Sequence, residues 1–92
     1  MYHVIPSNQY RKSLKRISQH KDFNAKRLDE IVCLLEDGKN LDSKYQDHEL
    51  KGNYIGIREC HIQNDILLLY RKEKDVLVLL LVNIGSHSYL FE

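Results

Sequence analysis

The chain has 92 residues, a formal net charge of +1 and 42% hydrophobic residues, which suits one domain with a single core. No apolar run approaches the roughly 20 residues that cross a membrane, and residues 1–4 lack the pattern of a signal peptide. Cys33 and Cys60 are too few for a disulfide framework or a metal knuckle. The sequence therefore predicts one cytoplasmic domain over residues 1–92, with both cysteines reduced and in or near the core.

Charge is unevenly distributed along the chain. Residues 1–21 carry five lysines and arginines and no acidic residue, although the whole chain is nearly neutral. An asymmetry of this kind indicates a polyanionic partner or an acidic protein partner.

The first half of the chain is predicted to form a short strand followed by two helices. Residues 2–5 are β-prone and are closed by Pro6. Ser7 is suited to cap a helix, and Asp22 is suited to cap a second helix that stops at Gly38. The apolar residues of these segments recur with helical spacing: Tyr10, Leu14 and Ile17 in the first, and Phe23, Leu28, Ile31, Val32 and Leu35 in the second.

The second half has the pattern of a sheet. After a partly extended segment at residues 45–50, three strands are predicted at residues 54–62, 65–71 and 76–82, joined by tight turns. The last run is apolar throughout, which is typical of a strand covered on both faces near the middle of a sheet. The predicted fold is α+β, a small antiparallel sheet with an N-terminal strand and two helices packed on one face.

Four polar residues lie at the ends of these predicted elements: His48, His61, Asp65 and His87. In an antiparallel meander, His61, Asp65 and His87 fall at one edge of the sheet. His48 can join them if its segment crosses that edge. Imidazoles and a carboxylate can exchange protons near neutral pH, which is sufficient to cleave RNA through its 2′-OH. The alternatives are a zinc site, which the dispersed histidines disfavour, and four unrelated polar residues.

Four segments resemble, in order, the YafQ branch of the RelE superfamily of bacterial toxins. They are residues 45–52 (YQDHELKG), 56–62 (GIRECHI), 65–70 (DILLLY) and 85–91 (GSHSYLF). The resemblance implies a RelE-like fold and a toxin that cleaves mRNA, usually on the ribosome. It also implies a cognate antitoxin, usually of the ribbon-helix-helix type, through which the toxin reaches its operator DNA. The acid–base chemistry considered above is metal-independent and needs no cofactor.

The resemblance assigns roles to individual positions. It makes His48, His61, Asp65 and His87 the catalytic cluster, and we expect His87 to be the general acid, with the base among the other three. Phe91 is expected to pack against a base or fix the tail. Asn83 stands where the family commonly has an arginine. Lys51 and Arg58 are our candidates for the phosphate contact that this arginine would make, and the alternative for Arg58 is a structural ion pair with Glu59 or Asp47.

Two other functions are compatible with the sequence. The same fold supports the ParE branch, whose members inhibit DNA gyrase without the histidine cluster. An RNA-binding module would instead use Tyr54, Tyr70 and Tyr89 as stacking platforms. The asparagine at position 83, where the family commonly has an arginine, weakens the interpretation as a nuclease. The presence of all four cluster residues favours it.

Overall fold

The computed structural model describes residues 1–91, which form a five-stranded sheet and three α-helices. In chain order the elements are β1 (His3–Pro6), α1 (Asn8–Ile17), α2 (Ala25–Glu36), β2 (His48–Glu49), β3 (Arg58–Gln63), β4 (Ile66–Glu73), β5 (Val78–Gly85) and α3 (His87–Phe91). Two single-turn 3-10 helices, at Ser43–Tyr45 and Gly52–Tyr54, flank β2.

The strands lie in the order β1-β5-β4-β3-β2. Strands β2 to β5 pair antiparallel with their neighbours, whereas β1 pairs parallel with β5, so that Val4 lies opposite Leu79. The apolar last strand is therefore an interior strand, as its composition predicted. The α+β fold class is confirmed, with a parallel N-terminal strand as the one exception to antiparallel pairing.

One hydrophobic core lies between the sheet and the two long helices, with α1 packed on β5 and α2 on β3. Leu28, Ile31 and Leu35 supply the buried side of α2, and alternate residues of each interior strand face them. The fully buried sheet residues in this core are Cys60, Ile62, Leu68, Tyr70, Leu79 and Ile84.

Of the two predicted helix caps, one is confirmed and one is wrong. Ser7 caps α1 as predicted, accepting a hydrogen bond from the Tyr10 backbone N–H and donating one to the Val82 carbonyl oxygen (2.8 Å). The prediction that Asp22 caps α2 is wrong, because Asn24 accepts from the Arg27 N–H (2.9 Å). Both residues are good caps; Asn24 is the one that lies next to the helix.

Two strand boundaries also differ from the predicted ones. The last strand begins at Val78 rather than residue 76, since Val76 and Leu77 lie in the turn and Leu77 has a φ of +53°. Strand β3 begins at Arg58 rather than residue 54, because residues 52–54 form a 3-10 turn and both Gly52 and Gly56 have positive φ. Hydrophobic composition alone does not separate an apolar turn from an apolar strand.

The cysteines differ in environment. Cys60 is fully buried, as expected, whereas Cys33 is exposed on α2, so placing both in or near the core was wrong for Cys33. Burial, with added repulsion from Asp47 and Glu59, raises the pKa of the Cys60 thiol to about 12. Within residues 1–91, none of the helices combines the length and apolar character needed to span a bilayer.

We predict that iodoacetamide at pH 8 alkylates Cys33 and leaves Cys60 unmodified in the native protein. The thiolate is the reactive form, and a raised pKa together with burial withholds it at position 60. Mass spectrometry with and without urea measures this, and both thiols should react after unfolding. Equal labelling of the two cysteines in the native state would contradict the burial of Cys60.

Candidate functional site

Strand register brings the two ends of the predicted cluster to one edge of the sheet. His61 lies opposite Leu67 on β4, and Leu67 lies opposite Gly85 on β5, so the three form one row across the sheet. His87 follows that row at the start of α3, and its backbone N–H lies 3.5 Å from Oδ1 of Asp65. The contact is weak at this distance, and it joins Asp65 to the main chain of His87.

His48 reaches the same face of the sheet from the edge strand β2. It pairs with Glu59, which is two residues before His61 and therefore on the same side of β3. Nδ1 of His48 donates to the Gln46 carbonyl oxygen (2.7 Å), which directs Nε2 toward Glu59.

The carboxylate of Glu59 lies between the two histidines. Its Oε1 is 3.5 Å from Nε2 of His48 and 3.9 Å from Nε2 of His61, and the residue is only 7% exposed. Glu59 was not among the site residues predicted from the sequence. The signal was present in the alternation of RECHI, which sends Cys60 and Ile62 to the core and Glu59 and His61 to the opposite face.

A second polar group fixes the segment that carries His48. The hydroxyl of the fully buried Tyr70 donates to Oδ1 of Asp47 (2.5 Å), and Nε of Arg58 donates to the same oxygen (3.2 Å). Burial and the hydrogen bond to Asp47 raise the pKa of Tyr70. Burial lowers the pKa of Arg58, but hydrogen bonds to Asp47 and Tyr70 outweigh it and the net shift is upward. Arg58 is thus a structural ion-pair partner of Asp47.

The other predicted substrate contacts lie around this face without meeting at one point. Asn83 pairs with Leu69, which places it in the row of Glu59, and its Oδ1 accepts the backbone N–H of Ile84 (2.9 Å). Lys51 is exposed at the start of the second 3-10 turn. Phe91 packs against His87, with ring centroids 4.9 Å apart.

Phe91 also ties α3 to the loop after β2. Its ring meets that of Tyr54 edge to face, with centroids 5.1 Å apart. The terminal helix is therefore held on this side by an aromatic contact that also includes the ring of His87.

Tyr89 holds α3 on its opposite side. Its hydroxyl lies 2.9 Å from Oγ of Ser13 and accepts from Nε2 of Gln9 (3.3 Å), and the Arg16 guanidinium lies 4.1 Å from the ring centroid. The hydrogen bond with Ser13, assisted by Arg16, lowers the pKa of Tyr89. A Cβ on Gly85 would lie 2.6 Å from Cδ2 of Tyr89, so the glycine permits this contact.

Comparison with known proteins identifies the family of this chain. Residues 2–92 match the family described as a bacterial toxin of type II toxin–antitoxin systems, YafQ. The chain belongs to this toxin family. The predicted membership of the RelE superfamily, in its YafQ branch, is confirmed.

Individual relatives and solved structures show how far the similarity extends. The mRNA interferase toxin YafQ of Escherichia coli K12 is 31% identical over 86 residues, which are 92% of this toxin and 90% of the relative. A metal-bound toxin from Helicobacter pylori is 40% identical with a TM-score of 0.90, covering 99% and 100% of the two chains. YafQ in the E. coli DinJ–YafQ complex is 26% identical with a TM-score of 0.86, and both chains are covered completely.

We predict that Gly85→Ala impairs the toxin by displacing α3, because the added methyl cannot coexist with the Tyr89 ring. Overpacking of this kind costs about 1–3 kcal/mol of stability, and RNA cleavage should fall about tenfold through misplacement of His87. Cleavage kinetics and urea unfolding measure the two effects.

The control is the same substitution in a Tyr89→Ser background, where the methyl has room. The two changes should then be non-additive, with the double variant no worse than Tyr89→Ser alone. Additive losses would show that Gly85 matters for a reason other than its contact with Tyr89.

Proposed function

We propose that this toxin is an endoribonuclease that cleaves mRNA by acid–base attack of a 2′-OH on the adjacent phosphorus. The observation that carries the proposal is the convergence of two imidazoles on the carboxylate of Glu59, on the sheet face next to the edge that holds Asp65 and His87. The E. coli relative bears the name mRNA interferase, which supports the same activity.

The proposed base comes from the pair of histidines at Glu59. His61 or His48 accepts the 2′-OH proton, the 2′ oxygen bonds to phosphorus, and Glu59 stabilises the imidazolium that forms. Asp65 is the alternative base; its contact with the backbone N–H of His87 favours a positioning role instead.

His87 is the proposed acid. It donates a proton to the 5′ oxygen as the phosphorus–oxygen bond breaks, leaving a 2′,3′-cyclic phosphate and a 5′-OH. Phe91 packs on the His87 ring and restricts its orientation. Lys51 and the amide of Asn83 remain proposed contacts for the phosphate, and Arg58 contributes less because Asp47 already neutralises it.

The described side chains do not fit a preformed metal centre, although the H. pylori relative is described as metal-bound. Among residues 1–91, no three His, Cys, Asp or Glu side chains are arranged to hold an ion. His48, Glu59 and His61 face one another at 3.5 and 3.9 Å, distances that suit hydrogen-bonded or ion-paired groups. No step of the proposed mechanism passes through a metal.

The proposed partners follow from the family. The E. coli DinJ–YafQ complex supports a cognate antitoxin as the neutralising partner. We propose that this antitoxin is of the ribbon-helix-helix type and that operator DNA is contacted only through the complex. The mRNA is proposed to be cut on the ribosome, in the cytoplasm.

We predict that His87→Ala lowers the rate of RNA cleavage by about 10²–10⁴, the usual contribution of a positioned acid, and leaves folding and antitoxin affinity unchanged. His3→Ala removes an exposed imidazole from β1 and is the matched control. Primer extension on ribosomes carrying a defined message measures cleavage. Retained cleavage in His87→Ala, or its loss through unfolding, would remove His87 from the mechanism.

We predict that Glu59→Gln, which keeps the shape of the side chain and removes its charge, lowers the rate about tenfold, or ~1.4 kcal/mol. Glu49→Gln on the exposed edge strand β2 is the charge-matched control. A rate unchanged by Glu59→Gln would show that the charge of Glu59 takes no part in the reaction.

The same assay addresses the alternative of a gyrase inhibitor on this fold. Growth arrest with intact mRNA and stalled gyrase would favour that function. An inhibitor would not need the three histidines and two carboxylates of the candidate site for proton transfer. The nuclease is therefore the proposed function.

A further inference from the structure

A cavity of about 340 Å³ opens beside His61 at the edge of the sheet. We call it the edge cavity. Arg27 from α2, Lys44 and Tyr45 from the first 3-10 turn, and Gln63 at the end of β3 line it together with His61. Its size is near the lower end of ligand pockets, about 300–1,000 Å³.

The edge cavity is positively charged. Two of its lining side chains are cations and none is a carboxylate. The Arg27 guanidinium and the Lys44 ammonium lie 5.6 and 5.2 Å from the centroid of the Tyr45 ring, which holds both near the same opening.

Asp42 and Glu59 lie close to lining residues of the edge cavity, and both have other partners. Asp42 accepts the Lys44 backbone N–H (2.9 Å) as the cap of its turn. Glu59 faces His48 and His61 on the sheet. Neither lines the edge cavity, so its cations are available to an anionic ligand.

We propose that the edge cavity binds a backbone phosphate of the RNA strand adjacent to the scissile one, through Arg27 and Lys44. The inference rests on the proposed nuclease function and adds to it the path of the substrate. His61 belongs both to the edge cavity and to the group around Glu59, so a strand that reaches the histidines passes this opening.

The sheet leaves this path open. Strand β2 pairs only with Arg58 and Glu59, so the outer edge of β3 is uncovered by a strand from Cys60 onward. Arg58, a cation of β3 itself, is less available because it is paired with Asp47. Arg27 and Lys44 thus supply positive charge on the β3 side of the sheet, whereas Asn83 on β5 offers only an uncharged amide.

The test uses Arg27→Gln, Lys44→Gln and the double variant, with Lys26→Gln as the matched control. Lys26 adjoins Arg27 in α2 but lines a different cavity with Asp29 and Asp37. The probe is a fluorescent 2′-O-methyl decanucleotide, which cannot be cleaved. Each single variant should weaken binding about two- to fivefold, and each lost contact should lower the slope of log affinity against log salt by about 0.7.

Message cleavage on ribosomes provides the second measurement. The double variant should raise KM about tenfold with kcat within twofold, because neither side chain exchanges a proton. Arg27→Lys should restore part of the lost affinity. Arg27 also donates a hydrogen bond to the Ile62 carbonyl oxygen (3.3 Å), so its replacement could lower stability as well as RNA affinity. Thermal unfolding measures that loss of stability, and Lys44→Gln leaves this hydrogen bond intact.

The proposal is overturned if the double variant binds the decanucleotide as Lys26→Gln does. It is equally overturned if only affinity for the antitoxin falls, which would make the edge cavity a protein-docking site. Failure of the nuclease function has a different signature, since the wild-type toxin would then leave the message intact while the decanucleotide measurements still report on the edge cavity.

Discussion

The pairing of β4 with β5 is the constraint on which the candidate site depends. His61 on β3 lies opposite Leu67 on β4, and Leu67 lies opposite Gly85 on β5. This row of three residues fixes the positions of β3, β4 and β5 relative to one another at the edge that carries the candidate site. A shift of one residue would turn every side chain of a strand to the other face. Buried residues such as Leu68 and Ile84 forbid that shift, and core packing thereby sets the geometry of the polar edge.

The site has two parts that the fold secures by different means. His48, Glu59 and His61 lie on paired strands, and the segment before β2 is anchored by the buried Tyr70 through Asp47. His87 lies instead on a single-turn helix held by aromatic contacts of Phe91 and by Tyr89. Side chains on strands are positioned more precisely than those on short terminal segments, so α3 is the part whose position depends most on side-chain contacts.

Much of this arrangement could be predicted from the sequence because it follows from periodicity and strand order. The all-apolar run indicated an interior strand, and meander topology indicated that His61, Asp65 and His87 share an edge. Features that depend on particular side-chain contacts could not be predicted. Asp22 and Asn24 are both good caps, and only the folded chain determines that Asn24 is used. The contact of Glu59 with His48 requires β2, a two-residue strand too short to leave a pattern.

The parallel pairing of β1 with β5 joins residues about 75 positions apart in the chain. During synthesis β1 and α1 are made before β1 has a strand to pair with, because β5, which receives it, follows about 75 residues later. His87 follows that strand, so the residue proposed as the acid is added only after the remainder of the sheet has been synthesised. In the proposed mechanism, a growing chain that stops before His87 lacks its acid, so cleavage requires that β5 and α3 have both been synthesised.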